Sequence, residues 1–144
     1  MAPIPESARK VIEAGRLAHL VTLNRDGSPQ VSIVWVGIDD GEIVSAHLGS
    51  HQKVKNVRRD ERVVLSIATD HQNSGGMTEY LVVYGHARIT EGGAPELLQQ
   101  LAYKYIGPGV KFPPMDNPPP GYITRITPDR YGGVGPWAAP GQQH

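Results

Sequence analysis

The sequence contains no cysteine. That absence excludes disulfides and thiolate metal sites, and it fits a reducing compartment. Net charge is missing too, because fourteen Lys and Arg balance fourteen Asp and Glu for a formal charge of +0. General duplex binding draws its affinity from a broad basic face, so nucleic acid is not an expected partner. No stretch approaches the ~20 apolar residues that span a bilayer, and MAPIPESARKVIEAG lacks the apolar core of a signal peptide. A soluble, cytoplasmic protein with no membrane partner is expected. His19, His47, His51, His71, His86 and His144 show none of the close pairings that zinc motifs use, so no metal is expected either.

What is present is turn chemistry between β-branched runs. The 144 residues suit one domain with one core, and Gly and Pro together make up about a fifth of the chain, as turn-rich β structure requires. Ala8, Val11 and Ile12, with Gly15 or Leu17, predict an amphipathic helix over Glu6–Leu17 that packs across a barrel end, with Ser7 as a candidate cap. AHLVTL (18–23) and QVSIVWVGI (30–38) read as a hairpin around NRDGSP, and Asp39-Asp40-Gly41 turns the chain into EIVSAHL. RVVLSIAT (62–69) is a fourth strand, DHQNSGGMTE a loop, and YLVVYGHARIT (80–90) a long strand in which Gly85 marks a bulge or sharp bend. Ala94–Ile106 is a helix with one apolar face. The proline-rich GPGVKFPPMDNPPPG is a surface loop or lid. YITRIT (122–127) closes the set, and the remainder trails off around Trp137, a large apolar side chain in need of a partner. The fold class is therefore mainly β: a six-stranded antiparallel barrel with peripheral helices.

One segment breaks the charge balance locally. HQKVKNVRRDER (51–62) holds Lys53, Lys55, Arg58, Arg59 and Arg62. Val54 and Val57, three apart, anchor a short helix, with Lys53 and Asn56 on a neighbouring face. One reading is a solvated helix whose arginines pair with Asp60 and Glu61. The other is an anion socket, in which Lys53, an amide donor and the backbone N–H groups after Gly49-Ser50 converge on a phosphate.

TLNRDGSPQVSIVWV, then HQKVKNVRRDERV, then ITPDRYGGVGPW resemble the split-barrel flavin and deazaflavin oxidoreductases, the superfamily of pyridoxamine-phosphate oxidase-like proteins. The Lys, Asn and RRD of the second segment and the GPW ending resemble the actinobacterial branch that uses coenzyme F420. The resemblance implies a homodimer with cofactor sites shared between subunits, and an F420-dependent oxidoreductase that passes a hydride between the deazaflavin and a small electrophile such as an enone or quinone. FMN in the same cleft, or a non-catalytic carrier of flavin, F420 or haem, are the alternatives. Residue by residue, it implies that Lys53 and Asn56 lie near the coenzyme's phosphate and acidic tail. His51 stands there where relatives carry Arg or Lys. Gln30, Ser32, Ser45 and Ala46 would face the ring, Tyr80 would reach the neighbouring subunit's ring, and Trp137 would line the site or seal the dimer seam. No catalytic residue is assigned.

Overall fold

Turn residues and β-branched runs divide the chain much as their chemistry dictates. The computed structural model describes residues 3–138, which form α1 (Glu6–Ile12), β1 (Ala18–Leu23), β2 (Pro29–Val34), β3 (Gly37–Asp39), β4 (Glu42–His47), α2 (Gln52–Arg59), β5 (Arg62–Gln72), β6 (Thr78–Glu91), α3 (Ala94–Tyr105) and β7 (Tyr122–Val134). The first hairpin turn is fastened by Asn24 and Gly27, whose N–H groups donate to Ser28 O and Asn24 O at 2.8 and 2.9 Å. Between β5 and β6, Asn73 Oδ1 accepts from the N–H groups of Gly75 and Met77. That cap shortens the expected loop and extends both strands.

All strand pairs are antiparallel, in the order β2-β1-β5-β6-β7-β4-β3. The two edges, β2 and β3, are separated in sequence by only Trp35 and Val36. Seven strands laid flat would hold those edges roughly 29 Å apart, whereas three Cα steps reach about 11 Å at most. The sheet must curl until its edges meet, and the mainly β barrel with a seam follows. Ala8 and Ile12 of α1, Leu20, Ile43, Leu65, Ile67, Leu81, Val83 and Ile126 fill its interior.

Three expectations are corrected. The strand expected over Gln30–Ile38 breaks in two, making seven strands where six were expected. At the break the Val36 N–H donates to Tyr105 Oη (3.0 Å) in place of a strand neighbour. The first helix ends at Ile12, five residues short of Leu17: Gly15 takes a left-handed φ of 77° and Leu17 is exposed. Pro5, not Ser7, occupies the cap position.

The third correction is at the C-terminal end. β7 runs on to Val134, because proline, which cannot donate to a ladder, is absorbed at an irregularity where Tyr84 pairs with Arg130 and Gly85 with Pro128. Gly85 supplies the expected bend. The chain then folds back, and Trp137 is 8% exposed in its own core, Nε1 donating to Gly132 O at 2.9 Å. It neither lines the cleft described below nor waits for a second subunit. His144 lies outside the described residues.

Candidate functional site

The seam is where the barrel fails to pair, and a cleft opens there. Ile33, Val34 and Trp35 form one side, Ser45 to Leu48 the other, with His51 and Lys53 at the start of α2, Leu98 of α3, and Phe112 from the proline-rich segment. Its volume is ≈ 330 Å³, within the range of small-ligand sites.

Its two ends differ in chemistry. At the apolar end Trp35 stacks on Tyr105 (centroids 5.3 Å apart, 14° between planes) and meets Phe112 at 5.1 Å. Both rings are held from behind. Tyr105 Oη donates to Arg16 O at 2.9 Å. Gln99 grips the proline-rich segment twice, donating to Val110 O (2.8 Å) and accepting from the Phe112 N–H (3.0 Å). At the polar end Lys53 is half-buried, which lowers its pKa by desolvation, and among the described residues it forms no ion pair. The first-turn N–H groups of Gln52 and Lys53 have no backbone partner among the described residues.

The other cations of the basic segment are committed elsewhere. Arg62 clasps Asp60 through Nε and Nη2 at 3.0 and 2.7 Å. Arg59 donates to Leu23 O and Asn56 Oδ1. Arg58 lies 4.0 Å from Glu91 and over the Tyr122 ring. Lys55 is exposed. Of five charges, one enters the cleft from a partly buried position without a carboxylate beside it.

The structure brings His51, Lys53, Ser45 and Ala46 together in the cleft and leaves five sequence-predicted residues outside it. Asn56 is fully buried, and its amide donates to Thr22 Oγ1 (3.0 Å) and Asn24 Oδ1 (2.9 Å) while accepting from Gln52 (2.8 Å). It pins α2 to β1. Gln30 belongs to the same network, accepting from Thr22 at 3.2 Å. Ser32 Oγ is buried with no partner among the described residues. Tyr80 stands on the outer face of β6, paired with Val134, and Trp137 is in the core. Sequence reasoning missed Trp35, Leu98 and Phe112, which come from three separated elements. It also missed His47, set aside for want of a second metal ligand.

Comparison with known proteins adds the family. The model for pyridoxamine 5'-phosphate oxidase matches residues 4–134. A solved structure described as an F420 reductase superposes with a TM-score of 0.71 at 24% identity, over 90% of this chain and 98% of its own. A conserved hypothetical protein from Mycobacterium tuberculosis superposes at 0.66 and 25% identity, over 91% of this chain and 86% of its own. A FAD-binding protein from Mesorhizobium loti does so at 0.59 and 19% identity, over 85% and 87%. No curated protein matches. These likenesses show a shared split-barrel fold.

Proposed function

Since the chain belongs to the pyridoxamine 5'-phosphate oxidase family, we propose that it is an F420-dependent oxidoreductase acting on a small electrophile such as an enone or quinone. The observation that carries this reading is the cleft's polarity: an uncommitted, half-buried Lys53 at one end and a preorganised aromatic corner at the other. That donor set fits a planar ring with a phosphate-bearing tail. When bound, the reduced deazaflavin supplies a hydride from its C5 carbon.

The protein's own residues hold and screen. Lys53, the free N–H groups of α2 and His51 hold the anionic tail. Trp35, Leu98 and Phe112 shield the ring from water, and Ser45 and Ala46 lie beside it on β4. The tail's phosphate is common to FMN, so FMN in the same cleft is the second reading, supported by the family match itself.

The functional unit is a homodimer. On the outer face of the sheet, Val31, Val21, Val64 and Tyr84 fall in one cross-strand row, and Ile33, His19, Ser66 and Val82 in the next. Val31 and Ile33 are 56% and 58% exposed at the sheet's edge, and with Val21, Val64 and Val82 they give this face an apolar share, interrupted by His19 and Ser66, that a protein contact would cover. Tyr80 stands on this face, the side from which it would reach a second subunit's site.

Titration of the protein with F420 and FMN side by side, followed by ligand fluorescence, tests the function. Tighter binding of F420 and reduction of a quinone by the reduced coenzyme are expected. Binding of neither coenzyme overturns the proposal, and binding without turnover marks a carrier.

A further inference from the structure

His47 lines the cleft beside Lys53 but has no part in the reading above. It is 5% exposed, and Nδ1 is not among the sealed, unpartnered polar atoms of the described residues, so the little surface the ring keeps includes that nitrogen. Nε2 lies 2.8 Å from Thr124 Oγ1, and Nδ1 has no hydrogen-bond partner among the described residues. The titratable groups around it are His51 and Lys53 at the start of α2 and, directly across the ladder on β7, Tyr122, whereas β2, α3 and the proline-rich segment present the apolar Val34, Trp35, Leu98 and Phe112. Desolvation first, then the charges of Lys53 and His51, press the imidazole's pKa down to about 3. The ring is thus neutral near pH 7, with one proton to place.

Thr124 decides where that proton goes. A hydroxyl both donates and accepts, so when the Thr124 O–H turns toward Nε2, the imidazole proton resides on Nδ1. The cleft then gains a neutral N–H donor from β4, beside the helix N-terminus.

We propose that His47, oriented by Thr124, completes an anion site with Lys53 and the first-turn N–H groups of α2, donating from Nδ1 to the phosphate of a phosphorylated ligand. This deepens the coenzyme reading, on which it rests for the identity of the ligand. It uses a donor that carries no charge of its own, so the site gains a hydrogen bond without a third cation crowding Lys53 and His51.

The test is nitrogen NMR of the full chain with ¹⁵N-labelled histidine, with inorganic phosphate and then FMN as probes. The expected result is a His47 ring that stays neutral from pH 5 to 8 and shifts to the Nδ1–H tautomer as either probe saturates. A ring that titrates near neutrality, or whose nitrogens do not move at saturation, overturns the proposal. Affinity measurements give a second arm. His47→Leu should weaken FMN by about tenfold or more, the worth of a hydrogen bond to a charged group, and leave riboflavin, which lacks the phosphate, unchanged. Equal losses for both ligands overturn the proposal, because damage to the whole cleft does not distinguish a phosphate. If neither F420 nor FMN binds but inorganic phosphate still moves the His47 resonances, the coenzyme reading fails and the anion site stands.

Discussion

At the residue scale, an interaction's worth depends on what else holds each group. Arg59 and Lys53 carry the same charge six residues apart, yet Arg59 is spent on Leu23 O and Asn56, whereas Lys53 lines the cleft with no ion pair among the described residues. Lys53→Ala should therefore weaken coenzyme binding by about 1.5–3 kcal/mol with little change in stability, and Arg59→Ala should do the reverse. Paired titrations and urea melts check this; equal binding losses would mean a diffuse charge field and no socket. His47 supplies a prediction in pH. The unfolded imidazole takes up a proton below about 6.5, the folded one only below about 3. Between those values the unfolded chain holds more protons, so stability falls as pH falls. Urea unfolding at pH 7 and 4.5 should show wild type losing on the order of 2–3 kcal/mol more than His47→Gln. Parallel losses would show that the imidazole is not held neutral.

At the element scale, the long pair β6 and β7 forms the spine of the barrel, and its one irregularity is built around Gly85. A Cβ there would sit 2.5 Å from the Thr127 carbonyl oxygen, a backbone atom with no freedom to withdraw. Gly85→Ala should cost about 1–3 kcal/mol, as overpacking does, and thermal unfolding measures it. An unchanged melting temperature would show that the bend does not depend on close approach. The neighbouring strand β2 illustrates how far tertiary context overrides local polarity. Its alternation places Gln30 and Ser32 toward the barrel and Val31 and Ile33 outward, the opposite of a solvent-facing polar side. An edge strand with apolar residues outward is an aggregation liability unless a partner covers it.

At the scale of the whole molecule, that partner is a second copy of the chain in the proposed assembly. A two-fold interface places the same patch on both sides, so Val31→Glu, outside the cleft wall, introduces two unpaired charges at once. Light scattering at micromolar concentration should report a dimer for the wild type and a monomer for Val31→Glu, with the monomer binding coenzyme more weakly. A wild-type monomer with full affinity would remove the shared site.

The sequence by itself determined most of the local elements, because these are signalled within a few residues: β-branched runs, the DG turns, the paired valines of α2 and Gly85 at the bend; the break at Trp35-Val36 and the run of β7 past Pro128 carry no such local signal. It also located the basic segment, with Lys53 and Asn56 read together on one helix face. It did not determine which neighbours each polar side chain would meet. Lys53 and Asn56 stand three apart on one helix, yet one opens to the cleft and the other is consumed by Thr22 on β1 and Asn24 in the turn after it. Trp137 ends inside its own core because Gly135, with φ 158°, leaves room where a Cβ would strike the indole at 2.2 Å. The cleft itself is a product of closure. Trp35, His47, Leu98 and Phe112 are brought together only when the sheet curls and its edges meet at an unpaired seam, a long-range event that no local pattern encodes.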